Sequence, residues 1–183
     1  MVGWIVLIVL VLVGLWAVSM YNSLVRRKNL VAEGWSGIET QLKRRADLIP
    51  NLVESVKGYA AHERGTLDEL TKLRASSQGQ DVAQRAQTEG AISAAIGRIM
   101  AVAEAYPDLK ASANFQSLQN ELAEVEDQIQ LARRYYNGAV RDFNTSIGQF
   151  PSNLIANFGS FKPAPFFEIE NAADRDVPKV SFN

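Results

Sequence analysis

The sequence predicts an all-α protein in which one N-terminal transmembrane helix is followed by an antiparallel up-and-down bundle of about four long helices. Three observations carry this expectation. The first is an uncharged apolar run, VGWIVLIVLVLVGLWA from Val2 to Ala17, which continues through Val18, Ser19 and Met20. The second is the recurrence of apolar residues at three- and four-residue steps through most of the remaining chain, the period of one helical face. The third is the shortness of the connections, which favours antiparallel neighbours, with no competing two-residue alternation. Three regions follow: an anchor at 1–20, a helical bundle at 21–158, and a Pro/Phe-rich strap and tail at 159–183.

The anchor has the right length. At about 1.5 Å per residue, Trp4 to Tyr21 covers roughly 26 Å, close to the hydrocarbon thickness of a bilayer. Trp4 at one end, and Trp16 with Tyr21 at the other, suit the two interfaces, where amphipathic rings settle. A cleaved signal peptide is the competing reading, because Ala17 and Ser19 have the small size of cleavage-site residues. Against it, the basic residues Arg26, Arg27 and Lys28 follow the apolar run instead of preceding it. By the positive-inside tendency they place the helical domain in the cytoplasm and the N-terminus outside, in a single-pass protein of the inner membrane.

Beyond the anchor, Leu24, Val31, Trp35, Ile38, Leu42, Ile49, Leu52, Val56 and Tyr59 form a helical stripe, continued by Leu67 and Leu70. Pro50 falls inside it. Proline removes a backbone donor and clashes with the preceding turn, so the helix is expected to kink or restart there, with Asp47 as an N-cap that would put Pro50 in a first turn. The absence of a glycine or turn cluster favours a kink over a reversal. The stretch ASSQGQD at 75–81 reads as a turn, with Gly79 a helix stop and Asp81 the next cap. A shorter helix with a small-residue face (Ala91, Ile92, Ala95, Ile96, Ile99, Met100, Ala103) then runs to Tyr106 and Pro107, where Asp108 helps to start the next element. Phe115, Leu118, Leu122, Val125, Ile129, Ala132, Tyr136, Val140, Phe143 and Ile147 predict one helix of about 35 to 40 residues. Phe150 and Pro151 close it, a short turn follows at 152–157, and the rest, rich in Pro and charge, reads as a non-helical strap and loose tail.

Composition narrows the function. No cysteine is present, which removes disulfides, thiolate nucleophiles and cysteine-ligated metals. A formal net charge of −1 with no basic stripe among aromatics gives nucleic acid no footing as a partner. The lone histidine, His62, stands beside Glu63. Adjacent helical residues point about 100° apart, so this pair does not converge on a metal as an i, i+4 pair would. With no Glu-x-x-His pair and no second histidine, neither di-iron chemistry nor a hydrolytic triad is expected, and no cofactor is implied.

The segment YNSLVRRKNLVAEGWSGIETQLKRRADLIPNLVESVKGYAAHE at 21–63 closely resembles the LemA family of bacterial membrane proteins. The matching features are Tyr21-Asn22, Trp35, Leu42-Lys43-Arg44-Arg45, the block from Asp47 to Val53, and Tyr59 with His62-Glu63. Tyr136-Asn137, Phe143-Asn144, Phe150-Pro151-Ser152 and Phe166-Phe167-Glu168 fit the family's C-terminal pattern. The resemblance implies a short outward N-terminus, one span and a cytoplasmic antiparallel bundle of about four helices. It implies no activity or cofactor. Some relatives are associated with membrane metalloproteases or with specialised internal membranes, which are hints about partners only, another membrane protein such as a protease among them.

Two clusters stand out. Arg44, Arg45 and Asp47 are unusual because Arg45 falls where the heptad expects an apolar residue. Either it makes an ion pair between helices, with Glu121, Glu124 or Glu126 as partners, or the basic pair binds lipid or another ligand. Distance opposes lipid: on a straight helix Arg45 lies roughly 37 Å beyond Met20, several Debye lengths of about 8 Å. Arg26, Arg27 and Lys28, at about 9 to 12 Å, reach anionic headgroups. The second cluster is the strap's Phe158, Phe161, Phe166 and Phe167, which either cap their own bundle or dock on a neighbouring protomer. Burying each is worth roughly 1.5 to 3 kcal/mol, so they need a destination. The sequence therefore points to a non-enzymatic, membrane-anchored protein that self-associates into a homo-oligomeric scaffold or cage-like assembly. The alternative is a monomeric or dimeric adaptor of a membrane protease or sensor.

Overall fold

The computed structural model describes residues 1–59 and 64–168, whose regular structure is all helix, with no strand among them. His62, Glu63 and the tail from residue 169 onward lie outside the described residues. The helices are α1 Val2–Lys57, α2 Arg64–Ser76, α3 Val82–Ala103, α4 Pro107–Lys110, α5 Ala113–Gly148 and α6 Ser152–Phe158. The expectation of about four long helices meets six, because Pro107 and Pro151 each begin a short extra piece: Pro107 opens α4 at its first position, and Pro151 flanks α6 as its N-cap. Proline is tolerated there because the first turn has no intrahelical use for its missing donor.

The apolar run and the first bundle helix are one element, as α1 runs unbroken for 56 residues. None of the residues in its most apolar window is buried, and this stretch is long and apolar enough to cross a membrane. Of the two outcomes open at Pro50, a kink or a restart, the helix does not restart. Pro50 and Asp47 both lie inside α1 on its exposed side, and Asp47 is an interior helical residue, not a cap. A physical reason is visible one turn back. Proline at 50 leaves the carbonyl of Ala46 without its helical donor, and the Arg74 Nε of α2 donates to that oxygen at 2.7 Å. The deficit that would end a helix is filled from a neighbour.

The chain forms two compact units, and α1 and α5 contribute a segment to each. In the first, residues 1–38 and 131–166, the segments of α1 and α5 are antiparallel. Trp35 of α1 meets Tyr136 near the start of the α5 segment, with ring centroids 5.7 Å apart, whereas Tyr21 meets Phe161 beyond its end, at 5.6 Å. Gly34 makes the first of these contacts close: a Cβ there would come within 3.1 Å of the Tyr136 Cα. The strap is pinned to α5. The Asn144 side chain donates from Nδ2 to the Ala164 carbonyl and accepts the Ala164 N–H, both at 2.9 Å, while the Tyr136 hydroxyl donates to the Pro165 carbonyl at 2.7 Å.

The second unit comprises the described residues within 39–130 together with Phe167 and Glu168. Its core joins Ile49, Leu52 and Val56 of α1, Leu67 and Leu70 of α2, Ile92 and Ile99 of α3, and Phe115, Leu118 and Leu122 of α5. The α2–α3 turn follows the composition. Gly79 takes the positive φ of 74° that a side chain resists, and the Asp81 carboxylate caps α3 by accepting the Gln84 N–H at 2.9 Å.

Candidate functional site

The most unusual group of side chains lies in the second unit, around Arg45. Its position on the buried face of α1, one turn from Leu42 and Ile49, leaves it 1% exposed. A buried guanidinium is tolerated only when paired and hydrogen-bonded. Here Arg45 pairs with Glu89 of α3, which is itself buried, and with Glu126 of α5 at 2.8 Å. It also donates to the Ser93 hydroxyl at 2.6 Å and to the Glu89 carbonyl at 3.2 Å. Arg85 approaches Glu89 from the preceding turn, Nε to Oε1 at 2.7 Å, and donates to the Ser77 carbonyl that closes α2. Two arginines and two glutamates thus neutralise one another, tying α1, α3 and α5 together. Only the Arg45 Nε is buried without a partner among these groups.

Arg44, the neighbour in sequence, points elsewhere and meets Glu124 at 3.3 Å with both side chains about half exposed, a pair worth little. Glu126 and Glu124 are two of the three acidic residues the α5 sequence offered. Glu121 instead accepts from Ser117 at 3.4 Å. Glu89 and Ser93 were missed, because both sit on a small-residue face that reads as apolar. The signal available for Glu89 was Arg85 four residues before it, an ordinary helical pair until burial gives it weight. Asp47 is exposed and takes no part in the cluster. The Arg45 head group is held by the Glu89 and Glu126 carboxylates and the Ser93 hydroxyl.

Beside the cluster lies a cleft of about 400 Å³ between α3 and α5. Ile96, Gly97, Met100, Leu122 and Ala123 form its apolar walls, and Arg45, Ser93 and Glu126 its polar edge. Among the described residues no three of His, Asp and Glu come together as metal ligands.

The remaining sequence-selected residues lie in the first unit, apart from Phe167. Trp4, Trp16 and Tyr21 are exposed on α1 with Arg26 and Lys28, and Arg27 is partly covered. The strap phenylalanines divide: Phe161 packs between Tyr21 and Phe143, Phe167 is fully buried, and Phe158 and Phe166 are 91% and 41% exposed. Tyr136 is buried, and burial raises its pKa above the ordinary tyrosine value.

With this geometry in place, comparison with known proteins decides the family: residues 34–182 match the model of the LemA family. The chain belongs to the LemA family. Among its relatives, protein LemA of Metamycoplasma hominis is 31% identical over 141 residues, covering 76% of this chain and 64% of that one. The magnetosome protein MamQ 2 of Paramagnetospirillum magneticum is 26% identical, and MamQ of Magnetospirillum gryphiswaldense 23%, each match covering 86% of this chain and 68% of the relative. The LemA match takes in the Arg45 cluster, the cleft, α6 and the strap. It begins at Gly34, so the apolar run lies outside it and stands on its own length and composition.

Proposed function

We propose that this LemA-family chain is a non-enzymatic structural protein, anchored in the cytoplasmic membrane by the apolar part of α1 with its helical domain in the cytoplasm, which self-associates into a homo-oligomeric scaffold. The observation that carries the self-association is on α5: Leu131 and Tyr135, one turn apart, stay 49% and 50% exposed well away from the apolar run. Apolar side chains stacked on one exposed helix face favour a partner surface. The buried charges support a structural role, since Arg45, Glu89, Glu126 and Arg85 neutralise one another across three helices and so serve register between them. Light scattering coupled to size exclusion, on full-length protein in mild detergent, tests this reading. A discrete mass of many protomers that survives dilution is the expected result, and Leu131→Ser with Tyr135→Ser should reduce it. A wild-type mass of one or two protomers overturns it.

A second reading, an adaptor for a membrane protease or sensor, is favoured by the apolar cleft between α3 and α5. A partner side chain entering there would meet Ile96, Met100 and Leu122. Gly97→Leu, at a position where a Cβ meets nothing within 4 Å, would narrow that entrance and should abolish adaptor activity while leaving the oligomeric mass unchanged.

A further inference from the structure

We propose that α6 is a second membrane contact: its outer face, Phe150, Leu154 and Phe158, lies in the headgroup region of the bilayer that α1 crosses. The inference rests on the reading of α1 as a membrane span.

The face is unusual in its chemistry. Phe150, Leu154 and Phe158 recur every fourth residue, so they share one side of the short helix and the turn before it. They are 80%, 58% and 91% exposed, whereas the opposite side, turned into the first unit, presents the small, buried Ser152 and Ala156. The helix therefore shows its larger apolar groups outward, the reverse of a helix that faces water. Charge is also absent, since residues 143–161 include no Asp, Glu, Lys or Arg.

Its location selects the occupant. Gly159, directly after α6, sits so close to Tyr21 that a Cβ there would come within 3.1 Å of the Tyr21 ring, and Phe161 packs edge-on against the same ring at 5.6 Å. Tyr21 marks the end of the uncharged apolar run, and the first charge beyond it is Arg26. About 19 residues of helix before Tyr21 rise roughly 28 Å, which places that ring at a bilayer interface. The exposed face of α6 is thus continuous with the surface on which the span ends, and the basic Arg26, Arg27, Lys28 and Lys162 lie near this level in sequence. Interfacial helices settle with their apolar face about 5–10 Å into the boundary between headgroups and chains, and lysine or arginine beside them favours anionic lipid. A lipid surface is the occupant that fits both the composition and the place.

The chain has no cysteine, so single cysteines can be introduced and labelled without background. Full-length Leu154→Cys and Phe158→Cys, labelled with an environment-sensitive fluorophore and reconstituted into phosphatidylglycerol/phosphatidylethanolamine vesicles, are compared with Leu10→Cys in the span and Glu33→Cys beyond it. Spin-labelled lipids should quench positions 154 and 158 strongly, position 10 as well, and position 33 hardly at all. If 154 and 158 emit as in water, the proposal fails while quenching at 10 keeps the span. If they are shifted to an apolar environment but escape the lipid quencher and respond to protein dilution, a second copy covers α6 and the proposal again fails. Absence of quenching at 10 removes the span, and this inference with it.

Discussion

Arg45 occupies a site where an apolar side chain would satisfy the heptad, and the structure explains how it is accommodated. Its charge is cancelled by Glu89 and Glu126, and Arg85 in turn supports Glu89. Removing one partner of a buried pair generally costs about 3–5 kcal/mol, whereas replacing both by well-packed apolar residues is often neutral or better. Arg45→Met should therefore lower stability towards the bottom of that range, because Arg85 still compensates Glu89. Arg45→Met with Glu89→Met should recover part of the loss, the remainder reflecting Arg85, which then loses its carboxylate, as followed by helicity during denaturant unfolding in detergent. Full additivity of the two substitutions would mean that the pair contributes no coupling.

Tyr136 makes a different prediction at the same scale. Its hydroxyl is buried and donates to the Pro165 carbonyl, and its pKa is raised by burial. The folded protein then holds the phenolic proton to higher pH than the unfolded chain does. That contribution is complete below the ordinary tyrosine range near about 10 and is lost as pH rises through the folded value. Tyr136→Phe should cost about 1 kcal/mol at neutral pH and weaken the alkaline fall in stability. An unchanged alkaline limb would place its origin in other groups.

At the scale of elements, α1 passes Pro50 because α2 supplies what the proline withholds. A hydrogen bond to a charged donor contributes about 1.5–3 kcal/mol, so Arg74→Ala should destabilise the wild-type protein by an amount of that order. In a Pro50→Ala background the Ala46 carbonyl regains its helical donor, and the same Arg74 substitution should cost clearly less. Equal costs in both backgrounds would separate the Arg74 contact from the proline. The α1–α5 approach in the first unit gives a matched pair of glycines. Gly37→Ala meets nothing within 4 Å and should gain about 0.5–1 kcal/mol from helix propensity, whereas at Gly34 the new Cβ meets Tyr136 backbone at 3.1 Å. Overpacking there costs typically about 1–3 kcal/mol, so Gly34→Ala should melt well below Gly37→Ala.

For the whole molecule, the helical class, the lengths of α3 and α5, and the α2–α3 turn were legible because they depend on local chemistry. A stripe at three- and four-residue spacing can bury one face only as a helix, a glycine stop takes a positive φ, and an aspartate caps the helix that follows. The contact that carries α1 past Pro50 was not legible. Proline's local cost is written in the chain, but the compensating Arg74 is 28 residues from the carbonyl it serves. The same limit hid Glu89 and Ser93, whose meaning comes only from the burial of Arg45 between helices far apart in sequence. The strap phenylalanines were visible as apolar residues needing a destination. Which are buried and which face outward was decided by the fold: Phe161 packs between Tyr21 and Phe143 and Phe167 is buried, while Phe158 stays exposed. The sequence by itself determined the helices, the long apolar run and the family, because periodicity, composition and motif are local properties. Only the tertiary structure decided which charges cancel, which carbonyl is rescued and which aromatic face is left outward, because each of these is set by residues brought together from separate helices.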